Sequence, residues 1–352
     1  MITNTIQYGE ELLKKAYPSM SEEEISHLLM ETWSRPYIFE NYTHFKERPF
    51  TGKYVNVDNN GFRRSKNQAP WPPDREKCFI IFIFGGSTAF GYGVPDDQTI
   101  ASHLQEFFST GGLKKSVALY NFGRGHYYST QERILFEQLI AAHHIPDIAM
   151  FIDGMNEFFY YDDEGTAVSG SFEKYLAGDI QKLWFKDLKK KSPVIKTFRN
   201  VRKTIKGALF KGNLTKQKER YRYYDQSKLA RCIERYTVNK KMIEAVSSFF
   251  DTKSIFVWQP VPTYQYNLEL HPFARAGFGR HGYSAFGYPL MSEYVQNHPI
   301  GENFLWCAHI HEGTDEPLYV DIAHYSPMMS RMVARVIYGL LVEKNLFTYK
   351  ET

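Results

Sequence analysis

Residues 78–88 read CFIIFIFGGST, and no other stretch restricts the fold as sharply. The unbroken apolar run from Phe79 to Phe84, rich in Ile and Phe, predicts a strand buried on both faces, as in a parallel sheet covered by helices. Gly85 and Gly86 then permit a sharp reversal that a side chain would hinder. A serine in that turn, Ser87, stands at the carboxyl end of a strand, where open α/β sheets place their chemistry. The plainer alternative is a βα turn in which Ser87 only caps the next helix, a role serine favours.

The rhythm recurs along the chain. Residues 117–121 predict a second strand opening into Gly123-Arg124-Gly125-His126. Residues 148–152 predict a third, running into Asp153-Gly154-Met155-Asn156, and 254–259 another, stopped by Pro260. Asp96 or Asp97 is expected to cap a helix through Ala101, Leu104, Phe107 and Phe108; Ile134, Leu135, Leu139 and Ile140 mark a longer one. Alternating strands and helices predict a three-layer α/β/α sandwich on a mainly parallel five-stranded, flavodoxin-like sheet, with its glycine-bearing loops on one edge.

Residues 1–55 read as a helical extension, with Ser21-Glu22-Glu23-Glu24 as a capped, acidic helix start. The α/β domain is expected over 56–157 and 251–348, interrupted by a helical, basic insertion over 158–250. Within 181–222 there are 15 Lys or Arg against two acids. Behind Ser192-Pro193, an apolar face of Ile195, Phe198, Val201, Ile205 and Leu209 is flanked by Lys196, Arg199, Arg202, Lys203 and Lys206. Such a helix either packs as a cap or meets an anionic membrane or polymer. Residues 261–299 read as irregular and aromatic, either a pocket wall or a self-packed loop.

The 352 residues are 43% hydrophobic and 16% aromatic, ample for a core, and a formal charge of +4 says little about partners. Cys78, Cys232 and Cys307 are too few and too scattered for a disulfide framework or a metal set. The first twenty residues lack a secretory pattern, and no 18-residue apolar run occurs. The expectation is a soluble, cytoplasmic chain open to peripheral membrane association, with no nucleic-acid partner and its oligomeric state left open. His309-Ile310-His311-Glu312 resembles a metal chelate on a strand, but two histidines without a third ligand favour no metal.

The loops at 85–88, 123–126, 153–156 and 321–324 carry the residue types that acyl transfer needs. Ser87 Oγ is a weak nucleophile until a base takes its proton, and a neutral imidazole suits that task. In Asp321-Ile322-Ala323-His324, His324 can accept the proton at Nε2 while Asp321 fixes Nδ1. Charge developing on the carbonyl oxygen needs positioned donors. The backbone N–H of Ser87, an N–H from the Gly125–His126 turn and the Asn156 amide can supply them.

In order and content these blocks resemble the SGNH hydrolases, also called GDSL-type esterases and lipases. The matching stretches are Phe84-Gly85-Gly86-Ser87-Thr88, Asn121-Phe122-Gly123-Arg124-Gly125-His126, Asp153-Gly154-Met155-Asn156-Glu157 and Asp321-Ile322-Ala323-His324, over roughly residues 56–341. The resemblance implies Ser87 as nucleophile, His324 and Asp321 as its partners, Gly86, Gly123 and Gly154 as supporting residues, and no cofactor. It implies carboxylic-ester substrates: acyl lipids, O-acylated carbohydrates or other small acyl compounds. Three departures stand out: GGS for GDS, Gly-Met-Asn-Glu for Gly-x-Asn-Asp, and His126 where the second block usually offers glycine. Gly125 and Gly123 are the other donors in reach. An O-acyltransferase using the same serine, or a catalytically silent carbohydrate- or membrane-binding module, would keep the same blocks.

Overall fold

The apolar run at 78–85 forms an interior strand because its side chains are covered on both sides. A computed structural model describes residues 9–110, 115–161 and 225–346. Five parallel strands, β1 (Cys78–Gly85), β2 (Ser116–Asn121), β3 (Ile148–Asp153), β4 (Lys253–Trp258) and β5 (Phe304–Trp306), lie in the order β2-β1-β3-β4-β5. The chain therefore leaves β1 for one side and continues on the other, which opens a crevice at the carboxyl end of β1 and β3.

The helices are α1 (Glu10–Ala16), α2 (Glu22–Trp33), α3 (Ser87–Phe90), α4 (Ile100–Thr110), α5 (Ser129–Ala141), α6 (Met155–Phe159), α7 (Gln226–Phe249), α8 (Ser284–Asn297) and α9 (Pro327–Glu343), and helices among them cover both faces of the sheet. Period-2 alternation sorts the core by shape. Ile81, Ile83, Leu119, Met150, Ile152, Ile255 and Val257 pack with α4 and α9 on one face. On the other, Phe84, Phe151 and Phe256 are register neighbours on β1, β3 and β4. Their rings stack at 4.8 and 5.4 Å, with Phe136 of α5 set edge-on to Phe84 and Phe151. Each such aromatic pair contributes about 0.5–1.5 kcal/mol beyond its buried area.

Three expectations change. The chain divides into two units, 1–161 with 227–352 and 162–226; of the second only the last two residues are among those described, and the basic tract 181–222 lies outside them. The expected insertion ran to residue 250, but α7 belongs to the α/β unit: Tyr236 packs on Trp258 at 4.9 Å and Lys240 lies over Phe256. Residues 261–299 are not wholly irregular, since they contain α8. Gly287 and Pro289 obscured it, and Gly287 is needed because the Phe158 ring lies 2.4 Å from where its Cβ would be. Asp96 and Asp97 form a 3₁₀ turn, and the N–H of Ser102 is met by Thr99 Oγ1.

The extension is part of the α/β unit. Ser21 and Glu24 form the expected capping box of α2. Leu13, Tyr17, Ile25, Leu28 and Leu29 are buried together with Val55, Phe90 at the end of α3, Tyr92, Phe273 and Val320.

Candidate active site

At the end of β1 the chain reverses through Gly85, at φ 152°, and Ser87 becomes the first residue of α3. Gly86 occupies the N-cap position, so Ser87 is free of capping duty. Its Oγ lies 2.8 Å from His324 Nε2, joining residues 237 positions apart in sequence. Asp321 and His324 sit on a tight loop before α9, closed by the Val320 N–H to His324 O bond at 2.9 Å and ended by Ser326, which caps α9. Within it, His324 Nδ1 lies 2.7 Å from Asp321 Oδ2, while the N–H groups of Ala323 and His324 donate to Asp321 Oδ1 at 2.9 and 2.8 Å.

Three hydrogen bonds onto one buried carboxylate favour its charged form. Burial pushes the Asp321 carboxyl up, but the His324 charge, its hydrogen bond and the two backbone donors outweigh it and hold the group down at about 2. An ionised Asp321 fixes the ring with Nδ1–H toward it and leaves Nε2 for Ser87. The Tyr92 ring stacks on His324 at 5.5 Å and 26°, and Trp33 meets it edge-on at 5.3 Å.

The other predicted residues gather at the same turn. Asn156, second residue of α6, reaches across Gly86, whose missing side chain makes room: a Cβ there would lie 2.3 Å from Asn156 Nδ2. One Nδ2 hydrogen goes to Tyr127 O at 2.6 Å, leaving the second. In the second block the candidates separate. Gly123 N–H donates to Asn121 Oδ1 at 3.0 Å and Gly125 N–H to Glu47 Oε1 at 3.1 Å, so Gly125, expected as a donor, is engaged elsewhere. Among the described residues neither Ser87 N–H nor His126 N–H has an acceptor. Gly154, at φ 129°, supports the third block by letting Tyr288 Oη approach.

Two further histidines flank the pair. His126 has an exposed edge, yet loss of solvation by the surrounding protein, with the His324 charge second, lowers its pKa. His281 is pushed down to about 3, by burial first and His324 second. Phe159 lies between them, 6.0 Å from the His126 ring and 4.9 Å from His281. Both imidazoles are thereby neutral at ordinary pH, and each offers a donor or acceptor without a positive charge.

A second group of buried acids lies beneath the third block. Glu132, Asp153 and Glu157 are all buried. Glu157 is served by Ser129 N–H at 2.7 Å and by Arg235. Among the described residues no N–H group donates to either Glu132 oxygen, whose hydrogen-bonding neighbour is the Asp153 carboxyl. Burial, followed by the neighbouring acids, raises the Glu132 and Asp153 carboxyls well above the usual range, so this pair retains a proton.

Some supports were not readable from the blocks. Arg63, fully buried, binds Asp96 and the carbonyls of Phe90, Gly91 and Val94, bracing the segment after Ser87. Thr88 Oγ1 and Tyr325 Oη converge on Gln259 Oε1 at 2.5 and 3.0 Å, tying α3 to the loop that carries His324. In the sequence, Arg63 is marked only by the Asn60-Gly61 turn pair just before it. The imagined chelate at His309–Glu312 lies in a turn and not on a strand, and both His311 ring nitrogens face protein oxygens, Tyr264 O and Tyr319 Oη.

No family model and no curated protein matches the sequence. Among solved structures, the lipase/acylhydrolase from Enterococcus faecalis is similar at 14% identity over 78% of this chain and 99% of that one, with a TM-score of 0.41. The lipase Lip_vut3 from a goat rumen metagenome is 11% identical over 74% of this chain and 97% of its own, TM-score 0.41. A catalytic mutant of Axe2, an acetylxylan esterase from Geobacillus stearothermophilus, is 11% identical over 74% of this chain and 93% of its own, TM-score 0.40.

Proposed function

We propose that this chain is a serine hydrolase of carboxylic esters. The observation that carries the reading is the continuous Ser87–His324–Asp321 hydrogen-bond path, 2.8 and 2.7 Å long in its two steps, at the carboxyl end of an interior strand. Ser87 Oγ attacks the acyl carbonyl as its proton passes to His324 Nε2, and Asp321 stabilises the imidazolium that results. The tetrahedral oxyanion is met by the N–H groups of Ser87 and His126 and the free amide hydrogen of Asn156. His324 returns the proton to the departing alcohol. Water, deprotonated by the same ring, then splits the acyl-serine into acid and free enzyme.

Incubation with a serine-directed fluorophosphonate and with a graded series of 4-nitrophenyl acyl esters tests this. Wild type is expected to label once, at Ser87, and to release acid from at least one ester; Ser87→Ala does neither. Equal labelling of both, or none of wild type, overturns the reading.

A further inference from the structure

We propose that Glu47, on the N-terminal extension, is a positioning residue for this site: one carboxylate holds both the turn bearing the His126 N–H and the tyrosine that backs His324. The proposal rests on the serine-hydrolase reading and extends it to a segment outside the four loops. Glu47 Oε1 accepts from Gly125 N–H at 3.1 Å and from Tyr92 Oη at 2.7 Å; Oε2 accepts from Arg35 Nη1 at 3.1 Å. The Arg35 and Glu47 side chains are each only 2% exposed. A buried ion pair of this kind adds little net stability, so the geometry it imposes on its neighbours is the better account of it.

The first neighbour is the 124–126 turn. His126 is a non-glycine residue at φ 65°, a left-handed conformation that persists only where surrounding contacts fix it. Among those contacts are Arg124 N–H to Gly85 O at 2.9 Å, Tyr127 N–H to Arg124 O at 3.3 Å, Tyr160 Oη to His126 O at 3.0 Å, and Gly125 N–H to Glu47. Gly125 has no side chain where one would meet the Tyr37 and Tyr92 hydroxyls, at 2.1 and 2.6 Å from a Cβ. The turn is thus pressed against the carboxylate and its two tyrosines, leaving the next amide, His126 N–H, as the one in the turn open to a ligand.

The second neighbour is the ring behind His324. Tyr92 donates to Glu47, stands 2.9 Å from Tyr37 Oη, and stacks its face on the His324 imidazole. Removing Glu47 therefore loosens the oxyanion side and the base side together. A misplacement of about 1 Å at either costs on the order of 10²-fold.

The test compares Glu47→Ala with Glu47→Gln in the full chain, using 4-nitrophenyl acetate. Glu47→Ala is expected to lower kcat about 10–100-fold with KM within about threefold; Glu47→Gln, whose amide oxygen still accepts, recovers most of the loss. Should the stranded Arg35 unfold either variant, the same comparison is made in an Arg35→Met background. A folded Glu47→Ala enzyme with kcat within threefold of wild type overturns the proposal, as does an equal loss in both variants that tracks their melting temperatures. Amide exchange gives a readout independent of turnover: Glu47→Ala should speed exchange across 124–127 at least tenfold with the sheet unaffected. Unchanged exchange there refutes the tether whatever the activity. A wild type that neither turns over ester nor labels at Ser87 faults the hydrolase reading, and leaves exchange to decide the tether.

Discussion

Asp321 and the Glu132–Asp153 pair are buried carboxyl groups in one unit, yet their pKa values move in opposite directions. Asp321 receives two backbone N–H groups and an imidazole, and stays ionised. Among the described residues Glu132 receives no N–H donor and faces other acids, so it and Asp153 keep a proton between them. Burial is shared; the supply of donors differs. A carboxylate becomes a working electrostatic partner only where the backbone folds around it first.

The widest gap should open in catalysis. Asp321→Asn is expected to lower kcat on a 4-nitrophenyl ester about 10⁴-fold by presenting the wrong ring tautomer to Ser87. Glu132→Gln is expected to leave kcat within about threefold. A large loss from Glu132→Gln would erase the contrast. On the oxyanion side, Asn156→Ala should cost about 10²–10³ in kcat, read against an unchanged melting temperature.

The contrast should next appear as opposite pH dependence of stability. The Asp321 carboxyl is lower in the folded chain than in the unfolded one, so its contribution is present above about pH 4 and lost as pH falls toward 2. Denaturant titrations should find Asp321→Asn less stable than wild type by about 2 kcal/mol at pH 6, with the difference shrinking below pH 4. For Glu132 and Asp153 the sign reverses: their folded carboxyls are raised, so the stability of the protonated pair fades as pH climbs above the ordinary carboxylate range near 4. Glu132→Gln, which carries a donor toward Asp153 at every pH, should flatten the decline in melting temperature between pH 5 and 9. This is the smallest of the expected effects, and an unaltered slope would mean that the pair is not what titrates.

Much of the reacting geometry was legible because it is local. The Asp321–His324 spacing, the apolar run into Gly85-Gly86-Ser87, and Asn156 after Gly154 each occupy a few residues whose turn chemistry reads directly. Where local pattern was weak, reading stopped. β5 has only three residues, too few to show a period, and α8 was broken on paper by Gly287 and Pro289. α7 carries Lys, Arg and Glu between its buried Leu229, Tyr236 and Ile243, so composition assigned it to the basic insertion and packing assigned it to the sheet.

What the sequence determined alone was four of the five strands, the order of the four loops and the chemical types they bring to one edge, because side-chain period and turn preference act over a few bonds. Which amide stays open, and which acids keep their charge, was decided by contacts between residues far apart in the chain. Glu47 reaching Gly125 across 78 positions is such a contact. A hydrogen bond already satisfied by a distant partner leaves no trace in the local pattern, and only the folded backbone shows which donors are spent.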